Sequence, residues 1–151
     1  MRTLLPILAL AVAPGAAQAA DPLALRSNVF VERTEVADGR TRITLTEPAT
    51  VTPGDRLVFV LHYRNTGNSA ASGLVVTNPM HPSVAYQDAD GAQVSVDGGK
   101  SWGTLAAARV RTARGDLRPA RPDDVTHIRW QLAGTLPAGG SGNLKFRGTV
   151  R

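Results

Sequence analysis

The 151-residue sequence predicts an all-β chain, an immunoglobulin-like antiparallel β-sandwich of about eight to nine strands. Three observations carry this expectation. Apolar residues recur with a period of two in short runs, as in Leu57, Phe59, Leu61 and Tyr63. The runs are separated by clusters of Gly, Pro, Asn and Asp that reverse the chain. The mature sequence has no stretch with the 3.6 period of an amphipathic helix, and its turns are too short for crossover helices, so the strands must pair antiparallel.

The first residues read as an export signal. Arg2 supplies a charged start, Leu4 to Ala13 an apolar segment, and Ala17-Gln18-Ala19 a small-residue cleavage site, giving a signal peptide over residues 1–19. The apolar segment, interrupted by Pro6 and Pro14, is far shorter than the roughly 20 residues of a membrane span. No later stretch is long and apolar enough either. The expected product is exported, periplasmic or secreted to the cell surface, with no membrane span in the mature chain. Cleavage leaves 132 residues with a formal charge of +4, one domain of ordinary size. With no cysteine in the chain, thiol catalysis, disulfide exchange and Cys-based metal sites are excluded.

The mature chain then divides into a mobile arm over 20–27, polar and containing Pro22, and a single domain over 28–151. Asn28 to Val36 predicts a strand through Val29, Phe30 and Val31. Asp38-Gly39 predicts a two-residue hairpin turn because both central positions need positive φ. Ile43 and Leu45 alternate with Arg42, Thr44 and Thr46, the pattern of a strand with one wet face. Pro53-Gly54-Asp55 reverses the chain into the longest strand. There Leu57, Phe59, Leu61 and Tyr63 are expected in the core, with Val58 and Val60 partly covered and His62 and Arg64 in water.

After the Asn65-Thr66-Gly67-Asn68 turn, Gly73 to Thr77 gives another run, ended by Asn78-Pro79 where Pro removes a ladder donor. Val84 and Tyr86 alternate across a short strand before Asp88-Ala89-Asp90-Gly91. Val94 and Val96 lead into a tight turn at Asp97. Ala106 to Asp124 reads as the one long irregular segment. Two half-buried strands close the domain, one with Ile128, Trp130 and Leu132 inward, the other with Leu144, Phe146, Gly148 and Val150 inward.

These motifs in this order resemble the bacterial conserved-repeat surface domain, the family known as domain of unknown function eleven. The likeness covers about residues 51–151. It rests on Val51-Thr52-Pro53-Gly54-Asp55, the strand Leu57 to Tyr63, Asn65-Thr66-Gly67-Asn68, Ala71, Val75-Val76-Thr77-Asn78-Pro79, Tyr86, Trp130, Leu136-Pro137-Ala138-Gly139 and the last strand. The resemblance implies an immunoglobulin-type sandwich on an exported bacterial protein, without an established catalytic site to carry over. Two departures stand out. Asn78 replaces the usual acidic residue after the Val-Val-Thr run, and the chain holds one copy of the module with Asn28 to Thr46 as an added hairpin or extra strands.

Candidate sites are few. Ser95-Val96-Asp97-Gly98-Gly99-Lys100-Ser101-Trp102 fits the Asp-box pattern of sialidase-like propellers, whose role is structural: Asp97 accepts turn amides, Gly99 takes positive φ and Trp102 packs beneath the hairpin. One copy cannot build a propeller. Arg109, Arg111, Arg114, Arg118 and Arg121 could fork onto phosphate or sulfate of an anionic polymer or glycan. The plainer account is a solvated loop balanced by Asp116, Asp123 and Asp124. No aromatic interleaves the five arginines, which disfavours nucleic acid.

His62, Met80-His81 and His127 lack metal-ligand spacing, Asp88 and Asp90 lack the EF-hand series, and Gly139 to Asn143 stops short of a nucleophile elbow. Trp102, Trp130 and Tyr86 are a conceivable sugar platform, with the core as their default place. The expectation is a non-enzymatic envelope protein without metal or cofactor, acting through contacts with a protein partner at exposed sheet edges. A polysaccharide or anionic-polymer module is the alternative.

Overall fold

The computed structural model describes residues 23–151. The signal peptide expected over Met1–Ala19 and the first part of the arm lie outside the described residues. Twelve strands follow in order. They are β1 (Leu23–Ala37), β2 (Arg40–Thr46), β3 (Arg56–Asn65), β4 (Ala71–Ser72), β5 (Val75–Pro79), β6 (Val84–Ala89), β7 (Gln93–Ser95), β8 (Arg109–Arg111), β9 (Leu117–Pro119), β10 (His127–Gln131), β11 (Thr135–Leu136) and β12 (Ser141–Val150). The described residues contain no α-helix, only a 3-10 turn at Pro122–Asp124.

All pairings are antiparallel. A five-stranded sheet in the order β2-β1-β3-β12-β6 faces a three-stranded sheet in the order β5-β10-β7, and β4-β11 and β8-β9 form two small ribbons. The chain is thus an all-β sandwich. The strand count exceeds the eight to nine expected because two- and three-residue ladders are too short to show a period in sequence.

The core is made where the two sheets meet. Leu61 and Phe146 from the large sheet pack with Val76, Val94, Ile128 and Trp130 from the small one. The Phe146 ring stacks on Phe59 with centroids 4.3 Å apart and tilts against Trp130 at 6.2 Å. Trp130 satisfies its indole N–H by donating to the Asp90 carbonyl at 3.0 Å, so a large aromatic is buried without an orphan donor. A second cluster of Val31, Leu57 and Val84 closes the other end.

Period two correctly placed Leu57 and Leu61 in the core, with Phe59 and Tyr63 only partly covered. Val58 on the opposite face is also buried, while His62 and Arg64 are exposed, so that face is dry at one end and wet at the other. At Gly148 the last strand shifts register against β6, and an added Cβ would lie 2.9 Å from the Ala85 carbonyl. Glycine is required there by close approach, not by φ.

Three expectations need correction. Leu23–Ser27, assigned to a mobile arm, belong to β1 and pair with Leu61 through Asn65. Backbone hydrogen bonding to a long neighbour outweighed the irregular side-chain pattern. The segment Ala106 to Asp124, read as irregular, contains the β8-β9 hairpin and the 3-10 turn. Its strands are three residues long and mostly exposed, so no apolar alternation marks them. Ile43 and Leu45 of β2, expected on a covered face, are exposed.

Candidate functional site

The feature that stands apart from the sandwich is the β1-β2 hairpin. Asp38 and Gly39 both have positive φ, 53° and 70°, which closes a two-residue turn on the pair Ala37 and Arg40. Val31–Ala37 pair with Arg40–Thr46, but β3 begins at Arg56, opposite Glu32. Beyond Glu32 the sheet therefore continues as a two-stranded ribbon.

Directly opposed residues share a face, so Val36, Thr41, Thr34, Ile43 and Leu45 lie on one side and Arg33, Glu35, Arg40, Arg42 and Thr44 on the other. The first side is apolar yet exposed: Val36 by 72%, Ile43 by 61% and Leu45 by 48%. The alternation of Ile43 and Leu45 had implied one wet and one covered face, and the structure leaves both wet. Nothing local to β2 reveals this, because it follows from the register through β1, which puts Ile43 and Leu45 on the side of Glu32 and Arg56, opposite the buried Val31 and Leu57.

The ribbon base is tied down by ion pairs. Arg33 reaches Asp55 at 3.0 Å. The Asp55 carboxyl is held below the usual range, first by the Thr52 amide it accepts and then, against the cost of desolvation, by Arg33. Glu32, whose side chain is only 8% exposed, takes Arg56 at 3.6 Å and Arg147 at 3.4 Å, and Arg147 also meets Asp88 at 3.2 Å. Ile43 overhangs this network, and the two sides bound an open groove of about 630 Å³.

The hairpin turn also fixes which backbone groups are unpaired. If Ala37 and Arg40 form a hydrogen-bonded pair, then so do Glu35 with Arg42, Arg33 with Thr44 and Val31 with Thr46. The N–H and C=O groups of Thr41, Ile43 and Leu45 consequently point outward along the free edge. The edges at β7, β6 and β5 are guarded. Gly103 bonds to both sides of Val94 on β7. Arg151 and the 3-10 turn lie along β6. On β5, Pro79 lacks a donor and its carbonyl is taken by the Asn78 amide. Among the described residues, no proline, bulge or covering loop defends β2.

The Asp97 turn is a self-contained hydrogen-bonded knot. Asp97 Oδ1 accepts the Lys100 and Ser101 amides at 3.1 and 2.9 Å and the Ser95 hydroxyl at 2.7 Å, while Oδ2 accepts the Ser101 hydroxyl at 2.6 Å. Ser95, buried to 1% exposure, in turn accepts the Gly99 amide. Gly98 and Gly99 take positive φ. Trp102 covers the outer face of the small sheet, with the Arg129 guanidinium 4.4 Å from its ring centroid and His127 edge-on at 6.5 Å. The Asp97 carboxylate and the Ser95 hydroxyl are consumed inside the turn, and the Gly98 amide is taken by the Thr126 hydroxyl at 3.1 Å.

This knot gives a pH prediction. Ser101 above all, then Ser95 and the turn amides, pull the Asp97 carboxyl well below its ordinary value of 3.8. The folded form therefore releases the proton more readily than the unfolded chain, and the stabilisation is complete above about pH 4 and fades as pH falls. Thermal melts from pH 7 to 2 should show Asp97→Asn less stable than the parent at pH 7, with the two curves converging in acid. Parallel curves would contradict this assignment.

The five arginines do not converge. Arg118 is committed to Asp124 by two bonds of 2.6 and 2.7 Å, which with the Arg121 amide hold that carboxyl down to about 2. Arg109 donates to the carbonyls of Ala106, Ala107 and Ala108, and Arg111 to Gly115 at 2.6 Å, so both stitch the loop. Arg114 and Arg121 are exposed. Asp123 pairs with Arg151 at 3.2 Å.

Nor do the histidines gather: His62 bonds Asn143, His81 accepts the Ser83 amide, and His127 meets Thr126. Trp130 is in the core, Tyr86 packs against it and Trp102 lies on the outer face, so the three aromatics make no platform. No helix among the described residues is long and apolar enough to cross a membrane. In the comparisons with known proteins, no family model, curated protein or solved structure matches this chain.

Proposed function

We propose that this chain is a non-enzymatic, exported β-sandwich of the cell envelope that acts by docking onto another protein through its β1-β2 ribbon. The observation that carries the reading is the exposed apolar side of Val36, Ile43 and Leu45 beside an unguarded strand edge. A strand edge offers backbone bonds and an apolar side offers desolvation, the two ingredients of strand addition. The leader-like residues 1–19 support export, and the resemblance of residues 51–151 to the conserved-repeat surface domain points to the same compartment.

Cell fractionation combined with a photocrosslinking residue at Ile43 tests this. The chain should appear outside the cytoplasm and crosslink to protein. Recovery of glycan alone would overturn it and favour the polymer reading, whose specific support is the exposed Arg109, Arg111 and Arg114 on and beside the β8-β9 hairpin. In that case Arg109, Arg111 and Arg114 changed together to Ala should elute earlier from an anionic resin.

A further inference from the structure

We propose that the occupant of the β2 edge is the β2 edge of a second copy, paired antiparallel about a two-fold axis at Ile43, which joins two five-stranded sheets into one of ten. The inference rests on the reading that the ribbon is the docking surface and goes beyond it by naming the partner.

The argument comes from register. Outward backbone groups belong to Thr41, Ile43 and Leu45, so a symmetric pairing must match these odd positions with one another. A two-fold at Thr41 sets Arg42 directly against Arg40 of the other copy, and one at Arg42 sets that residue against itself. Like charges directly opposed are destabilising in a sheet. A two-fold at Thr44 or Leu45 avoids this but shortens the overlap of β2 to about five or three residues.

Centring on Ile43 alone pairs all seven residues of β2. It places Arg40 opposite Thr46 and Arg42 opposite Thr44, so no arginine faces an arginine. Arg42 keeps Glu35 across from it in its own chain. Thr41 and Leu45 meet reciprocally, and the two Ile43 side chains lie side by side on the apolar face. Three bonded pairs contribute about six backbone hydrogen bonds.

Two further features agree. A two-stranded ribbon is marginal by itself in water, whereas the joined sheet gives each ribbon a third and fourth strand. Strand-to-strand pairing about a two-fold is also a closed, isologous interface, which stops at the dimer and does not propagate into a fibre.

The cysteine-free chain permits a direct test on the mature protein. Single variants Ile43→Cys, Thr41→Cys and Thr44→Cys are oxidised under identical conditions. In the proposed register the two Ile43 positions stand about 5.5 Å apart, within disulfide reach, whereas the two Thr41 positions stand about 13 Å apart. Ile43→Cys should therefore form the covalent dimer at least about tenfold faster than Thr41→Cys, with Thr44→Cys slower than Ile43→Cys.

Sedimentation of the unmodified protein should show a concentration-dependent dimer. A monomer at every concentration up to about 100 µM overturns the proposal, as do equal oxidation rates at the three positions. If the dimer is absent while the Ile43 photocrosslinker captures a different protein, this inference falls and the docking reading stands. If it is absent and no protein is captured, both fall.

Discussion

Asn65→Leu should cost the fold about 3 kcal/mol, more than any other exchange of similar volume in the turns. Asn65 is 1% exposed at the end of β3. Its side-chain amide donates to the carbonyls of Ser69, Leu136 and Pro137 at 2.9, 3.1 and 3.2 Å, and its Oδ1 accepts the Gly67 amide at 2.9 Å. Its own backbone bonds Gly139 and Gly140. One side chain thus joins the turn after β3 to the turn before β12. Leucine would fill the space but lose these four hydrogen bonds, each worth about 0.5 to 1.5 kcal/mol net, while the Pro137 carbonyl keeps the Gly140 amide. Asn65→Asp should be nearly as damaging because it loses the donating amide and adds a buried charge. Urea denaturation at pH 7 measures both, and a loss under about 1 kcal/mol in Asn65→Leu would show that the turns hold without this hub.

Phe146→Ala should lower stability by about 4 kcal/mol, within the usual range for deleting a buried aromatic. Phe146 is 3% exposed, stacked on Phe59 and tilted against Trp130, so it bridges the central strands of the two sheets. Its removal leaves a cavity whose walls are strands locked in ladders on both sides, which limits collapse. Phe146→Leu restores most of the volume and should cost about half as much. The same denaturation series distinguishes them. Equal losses for Ala and Leu would mean that ring stacking and not cavity volume dominates.

Both residues were visible in the sequence, though for different reasons. Phe146 sat in the strictly alternating set Leu144, Phe146, Gly148 and Val150, where period two is sufficient to choose a face. Asn65 was read only as a turn former, one of four residues in Asn65-Thr66-Gly67-Asn68. Its buried hub role depends on a loop 71 positions later in the chain. Likewise the Asp97 turn was legible because every hydrogen bond to the Asp97 carboxylate comes from between Ser95 and Ser101. That Asp123 and Asp124 balance the arginines was also expected, but the specific match of Arg118 to Asp124 appeared only once the 3-10 turn had brought them together.

The sequence by itself determined the class of the protein: period-two alternation, turn residues and the lack of helical spacing leave no other way to bury these side chains than antiparallel sheets packed face to face. Tertiary structure alone decided which edges and faces of those sheets remain open. Ile43 and Leu45 carry the same pattern as Leu57 and Leu61, yet the first pair lies in water and the second in the core. The reason is that alternation reports only that two faces differ. Whether a face is covered depends on which side the second sheet packs, and the pairings run through β1 put Ile43 and Leu45 on the side of Glu32 and Arg56, away from the buried Val31 and Leu57.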